Sequence, residues 1–503
     1  MNEFILHELV GTLTVGVVAL AVLALADALK RTTSLPYELT RKVAHIGSGL
    51  AVLLIPVFIS SSWTVLVLTS GFALLMFSTH VFGLLQGVHG VGRGVGGVLW
   101  YPVTAWLLFF IVFDVRGGTY LEYAIPVLVL ACADAMGAVI GRSWGRHKYE
   151  VITGHYRSVE GSTAFFITAL ACIALPLTIG MDVPVLHALS VAALVSLIAM
   201  AFEAVSVHGL DNLLVPMGTL LFLERFLPLD GRQLAMHALV LVAVTSCALV
   251  IGWRRPATGG GIASFVLSCY TVLLLGGWLW LPPLAGLIAV FAVWERLAPV
   301  ASDLVKTRYE LGTAMIGLTV PVLLVLLYAT TDDTAIRHAI YVGYLASIAC
   351  QAAVLFYVLP QHRSFRLRRL RRLITTRDPW QHGPTAGKAL FAALGVTLAL
   401  TGPMLLMDAT AVTVSRSSLS VLLTLACMAG LAAFVTLAST TCARRSCPAC
   451  GNVTLHGMGC CHTYSLGIGD TVSLRTMTFR KTYLAANTIA AVAATAVVIT
   501  WTS

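Results

Sequence analysis

Charge is scarce in this sequence. Asp, Glu, Lys and Arg make up 11% of its 503 residues, apolar side chains make up 58%, and the mean hydropathy is +0.89. A soluble domain needs far more polar surface to stay dispersed, so a water-soluble globular fold is excluded. No G-x-x-x-x-G-K-[ST] segment occurs, which excludes the ordinary P-loop way of cradling a nucleotide. No Lys or Arg precedes Lys30 and no small-residue cleavage site follows the first apolar run, so the expected first element is a retained membrane helix rather than a cleaved leader.

What fills the chain instead is a series of apolar runs, each long enough to cross a hydrocarbon core of ~30 Å as a helix. They fall near 5–29, 43–60, 62–78, 98–113, 120–140, 161–180, 184–206, 211–227, 233–252, 261–277, 280–294, 312–330, 336–358, 386–406, 418–440 and 483–501. The expectation is an all-α polytopic integral membrane protein of about sixteen spans in two bundles, 1–230 and 231–503, divided near "LPLDGR" at 227–232, with no repeat between the halves.

A formal net charge of +10 invites a nucleic-acid reading, but the distribution of the positive charges argues for topology. With the N-terminus outside, the loops at 30–42, 79–97, 141–160, 253–260, 295–311, 360–388 and 441–482 are cytoplasmic and hold 27 of the 32 Lys and Arg. That is the positive-inside pattern. The run "RSFRLRRLRR" (363–372) is read as resting on anionic headgroups. No nucleic-acid partner is expected; the bilayer is.

Six of the eleven Cys are scattered singly through apolar runs, as small buried hydrophobes; the other five crowd into 442–461. There Cys447-x-x-Cys450 is followed by Cys460, Cys461 and His462, a structural Zn2+ pattern with an unusually compact second pair. On a reducing cytoplasmic side the alternative is free thiols.

Carboxylates at membrane depth are expensive and default to function. In residues 1–230, Asp134, Glu203 and Asp211 lie in or at the ends of spans, whereas every later Asp and Glu falls in or beside a loop. Around them stand "ELTRKVAHIGSGL" (38–50), with Arg41, Lys42 and His45 at a helix start; the Gly-rich "GRGVGGVLWYP" (92–102); "DAMGAVIGRSWGRHK" (134–148), with Gly137, Gly141 and Gly145 four residues apart; "RSVEGSTAFF" (157–166); and "FEAVSVHGLDNLLVP" (202–216). Basic side chains and a glycine-opened backbone suit a polyphosphate, and carboxylates suit the Mg2+ that bridges it. The plainer alternatives are helix packing for the glycines and topogenic signals for the single bases.

The motifs R-K-x-x-H-x-G, D-x-x-[AG]-x-x-x-G-R-x-x-G-x-H-K, [KR]-S-x-E-G-S-x-A and E-x-x-x-x-x-G-x-D-N-L-x-V-P, in this order over about 35–225, resemble the membrane polyprenol kinase family of phytol, farnesol and dolichol kinases. The resemblance implies transfer of the γ-phosphate of CTP, or a related nucleotide, to a lipid alcohol. It implies metal or general-base roles for Asp134, Glu160, Glu203 and Asp211, with Mg2+ on Asp134 and Asp211. Arg41, Lys42, His45, Arg142, Lys148, Arg157, Ser158, Gly161, Ser162 and Asn212 would hold the nucleotide. Arg157 stands where Lys is usual, which keeps the charge.

The later half, about 235–500, is similar to the phytyl-phosphate kinase membrane family through "TGGGIASFVLSCYTVLLLGGWLW" (258–280), "RRLITTRDPWQHGPTAGKALFAALG" (371–395) and the cysteine loop. It reads "ACQAAVL" (349–355) where that family carries D-T-x-A-S-E, and "TYLAAN" (482–487) where it carries Asn-Asp. With those carboxylates gone, the half is expected to be degenerate, with a regulatory or substrate-sequestering role. The enzymatic rival, a phosphatidate cytidylyltransferase, lacks its K-D-x-x-x-x-x-P-G-H-G-G-x-x-D-R signature here. A transporter would favour broken helices near the midplane rather than charges at one face.

Overall fold

A computed structural model describes residues 2–82, 96–152, 155–206, 209–254, 258–287, 311–358, 445–446, 453–454 and 484–499. These residues are mostly helical. Among the described residues eight helices are long and apolar enough to cross a membrane: Glu3–Thr32, Glu38–Phe58, Ser62–Val81, Tyr120–Ser143, Val159–Gly180, Val185–Val205, Gly231–Val250 and Gly259–Gly276. Shorter apolar helices run over Leu99–Val115, Leu318–Thr330 and Leu484–Ile499. The expected spans at 386–406 and 418–440, residues 288–294 of the expected span at 280–294, and Cys447, Cys450, Cys460, Cys461 and His462 lie outside the described residues.

In chain order the helices are α1 (Asn2–Thr32), α2 (Tyr37–Phe58), α3 (Ser62–Val81), α4 (Gly96–Phe109), α5 (Tyr120–Leu128), α6 (Asp134–Ser143), α7 (Val159–Leu175), α8 (Val185–Val205), α9 (Asp211–Phe226), α10 (Gly231–Arg254) and α11 (Gly259–Gly276), followed by α12 (Leu311–Thr330) and α13 (Thr334–Val358). Many carry large apolar side chains on exposed faces, among them Leu13, Trp63, Val67, Leu186 and Leu239. Such surfaces suit lipid, where only helices or closed barrels satisfy every backbone group internally. Among the described residues three helices widen into π segments, at Phe110–Val115, Val129–Ala133 and Pro176–Gly180. The second joins α5 to α6 and follows Pro126, which has no N–H to give the α ladder.

Two strand pairs among the described residues depart from an all-helical chain: Arg445–Ser446 pairs antiparallel with Val453–Thr454, and the larger lies in the polar stretch after α6. The stretch after α6 forms an antiparallel hairpin of β1 (Lys148–Ile152) and β2 (His155–Ser158), in which Lys148 faces Ser158 and Tyr149 faces Arg157. The register slips between Glu150 and Ile152, so Val151 sits at a bulge.

The chain packs as two compact units, one of residues 1–249 and 258–267, the other of 250–257 and 268–503. The first has a core of Val15, Ile55, Val65, Leu108, Phe109, Tyr123 and Leu220. In the second, Trp280 is ringed by Tyr328, Tyr341 and Tyr344 at centroid distances of 4.9, 5.0 and 4.5 Å, and Cys350 Sγ lies 3.8 Å from the Ala486 carbonyl oxygen.

Candidate active site

The first turns of α2 place Glu38, Arg41, Lys42 and His45 at spacings of three, one and three residues, which gathers them on one side of the helix. Lys42 is 2% exposed and Asp134 6%, and the ammonium of the first forms an ion pair with the carboxylate of the second. His45 Nε2 lies 3.1 Å from Asp134 Oδ2 and 3.1 Å from the carbonyl oxygen of Leu130. Both neighbours are acceptors, which puts a ring hydrogen on Nε2. Leu130 belongs to the π segment just before Asp134, and wide turns of this kind recur at functional sites. Tyr101 packs edge-on against the imidazole, with centroids 5.2 Å apart and planes at 73°. The close approach of α2 to the π segment depends on Gly49: a Cβ there would run into Ala131 and sit 3.2 Å from Tyr101 Oη.

Two anionic side chains hold the surrounding bases. Glu38 pairs with Arg41 and, at 3.0 Å, with Arg142 of α6, so one buried carboxylate links α2 to α6. Glu203, near the C-terminus of α8, pairs with Arg157 of β2, whose Nη2 also donates to the Ser206 carbonyl at 3.1 Å. Ser158 caps α7 by accepting the Gly161 N–H at 3.1 Å. Glu160 accepts the His147 backbone N–H at 3.1 Å and lies 2.7 Å from its Nδ1, which fixes the chain entering β1. Tyr149 Oη and Ser162 Oγ are 2.8 Å apart.

The expected site residues thus come together at one end of the first unit. Lys42, His45 and Asp134 form its floor, with the half-buried Arg41 beside them; Asp211, the first residue of α9, lies within electrostatic reach of Asp134, Lys42, Arg157 and Arg41. Asn212 is buried beside it in the chain, while Arg142 and Lys148 are exposed and form a basic rim. Gly161 belongs to helix packing: a Cβ on it would lie 2.8 Å from the Gly137 carbonyl oxygen and 2.9 Å from Gly141 Cα. Glu160 and Glu203 hold His147 and Arg157 rather than facing Asp134.

Three contributors escaped the sequence reading. Glu38 was visible as an acid three residues before Arg41, a pairing distance on a helix. Tyr101 and Tyr149 gave no signal, because an aromatic in an apolar or mixed segment is ordinary. Among the described residues no three His, Cys, Asp or Glu side chains converge as a metal site. A Mg2+ carried on a polyphosphate asks for only one or two carboxylates, and Asp134 and Asp211, set among bases on neighbouring helices, fit that smaller demand.

The chain is 34% identical over 206 residues to a phytol kinase of Synechocystis sp., a match covering 84% of that protein and 40% of this one. No model of a known protein family matches the chain, and no solved structure matches it.

Proposed function

The chain belongs to the phytol kinase family, and from that premise we propose that it transfers the γ-phosphate of CTP, or a related nucleotide, to the hydroxyl of an isoprenoid alcohol such as phytol, farnesol or dolichol, giving the monophosphate. It is a membrane protein and a kinase of an alcohol. The observation that carries the finer reading is the buried Asp134, held between Lys42 and His45 at the same end of the unit as a hairpin bearing Lys148, Arg157 and Ser158.

In this reading the exposed Arg142 and Lys148 draw in the polyphosphate, and Arg157 and the Ser158–Gly161 turn hold it against the floor. The alcohol oxygen attacks the γ-phosphorus, the bond to the β–γ bridging oxygen breaks, the nucleoside diphosphate leaves, and the hydroxyl proton passes to a carboxylate of the Asp134–Asp211 pair. Mg2+ would be held by the same two carboxylates and supplies neutralisation of phosphate charge. Lys42 and His45 hold the Asp134 carboxylate in place; Glu38, Glu160 and Glu203 position the bases.

The placement of Lys and Arg supports an external N-terminus and a cytoplasmic site. Residues 1–230 carry the chemistry and 231–503 form a half without transfer activity. In support of the latter, "ACQAAVL" and "TYLAAN" meet at Cys350 and Ala486, where each contributes an amide, Gln351 or Asn487, and no carboxylate. Purified full-length protein given labelled CTP and a panel of lipid alcohols tests the proposal. Label transferred to phytol, farnesol or dolichol is the expected outcome; transfer to none of the alcohols, with CTP, ATP, GTP or UTP, would overturn it.

A further inference from the structure

A hairpin of two short strands is marginally stable by itself, so its position must come from what it docks on. Its second strand is anchored within 1–230, by Arg157 to Glu203 and by Ser158 at the start of α7. Its first strand is anchored elsewhere. Val151 is buried at the bulge, outside the regular register, and its carbonyl oxygen accepts a hydrogen bond from Thr258 Oγ1 at 3.1 Å. The same hydroxyl accepts the Gly261 N–H at 3.1 Å and so caps α11. The glycines that follow let this helix start lie flat on the strand: a Cβ on Gly260 would sit 2.9 Å from Val151 Cγ1 and 3.0 Å from the Val151 carbonyl carbon, and one on Gly259 would sit 3.2 Å from Tyr149 Cε2. Tyr149 in turn meets Ser162 on α7.

We propose that Thr258, seated by Gly259 and Gly260, is a positioning residue for phosphoryl transfer: it grips the bulge of β1 and sets the height of the hairpin that carries Lys148 and Arg157 against Asp134. Bulges re-aim strands beside functional sites, and a bulge carbonyl released from the ladder needs a fixed partner to hold one orientation. Residues 258–261 lie beyond the stretch that carries the polyprenol kinase motifs, so a segment of the later half completes the support of the earlier half's site. The proposal rests on the assignment of the hairpin to the nucleotide given above.

The test uses full-length Thr258→Val, Thr258→Ser and Gly260→Ala. Loss of a cap and its second bond should raise the nucleotide KM about tenfold in Thr258→Val, with kcat and the alcohol KM within about twofold. Hydrogen exchange over 148–158 should quicken, Thr258→Ser should restore both readouts, and Gly260→Ala, which keeps the hydroxyl but pushes on Val151, should shift both in the same direction as Thr258→Val. Unchanged exchange over 148–158 overturns the grip. Faster exchange with an unmoved nucleotide KM overturns the positioning role. A wild type that phosphorylates no alcohol sinks the kinase reading alone, since the exchange comparison still decides whether Thr258 holds the hairpin.

Discussion

The Lys42–Asp134 pair allows structural and chemical roles to be separated by a double-mutant cycle. The Lys42 side chain is 3% exposed and that of Asp134 8%, so neither charge has water to fall back on. Asp134→Asn leaves the ammonium buried without its counter-charge, a change that costs about 3–5 kcal/mol in buried pairs. For a unit of this size that corresponds to a fall in Tm of roughly 6–20 °C. Lys42→Met should sit at the lower end of that range, because His45 Nε2 still donates to the remaining carboxylate from 3.1 Å. The double variant removes both charges and keeps most of the volume, and since buried pairs are often replaceable by apolar groups at little loss, it should recover to within about 1–2 kcal/mol of the wild type. Activity should not recover with it. Without the Asp134 carboxylate the transfer loses charge stabilisation and a proton acceptor, and a drop of about a thousandfold or more, ~4 kcal/mol, is expected in both Asp134 variants. Stability is read by circular dichroism in detergent at one fixed heating rate, because unfolding of such proteins is commonly irreversible; activity is read by label transfer. Losses that simply add in the double variant would show that the two charges do not act as a pair, and wild-type turnover by Asp134→Asn would refute the site.

Glu203→Gln releases Arg157 while leaving its bond to the Ser206 carbonyl, so the nucleotide KM should rise about tenfold and the alcohol KM stay put in steady-state kinetics. Gly161→Ala places a methyl group 2.8 Å from the Gly137 carbonyl oxygen, so overpacking between α6 and α7 should lower stability by about 1–3 kcal/mol in thermal unfolding. Removal of Mg2+ with a chelator should abolish label transfer and its return restore it; full activity without divalent cation would rule out the metal role of Asp134 and Asp211. With excess nucleotide the lipid product should stop at the monophosphate, and efficient conversion of added monophosphate to diphosphate, seen by thin-layer chromatography, would show the later half to be active.

Hydropathy alone places the eight helices that are long and apolar enough to cross a membrane among the described residues, half the number of spans expected, because a membrane span needs an unbroken apolar run of fixed length and the backbone has no other way to satisfy itself there. The same logic picks out Asp134 and Glu203, since a carboxylate in such a run stands against its surroundings, and the first-turn spacing groups Arg41, Lys42 and His45 before any fold is known. What the sequence does not carry is the pairing. Lys42 and Asp134 are 92 residues apart, and nothing local says that they meet or that Glu203 is committed to Arg157. Gly137 and Gly141 were open to two readings, and the structure supports helix packing for both, because only the approach of α7, with Gly161 against them, reveals how little room a Cβ would have. The bulge at Val151 and its hold on Thr258 lie further still from local pattern: a one-residue slip in register leaves no mark in composition, and its partner arrives from 107 residues away. Local periodicity and transfer free energy depend on neighbours in the chain, whereas ion pairs, close glycine contacts and bulge anchors depend on which helices end up side by side.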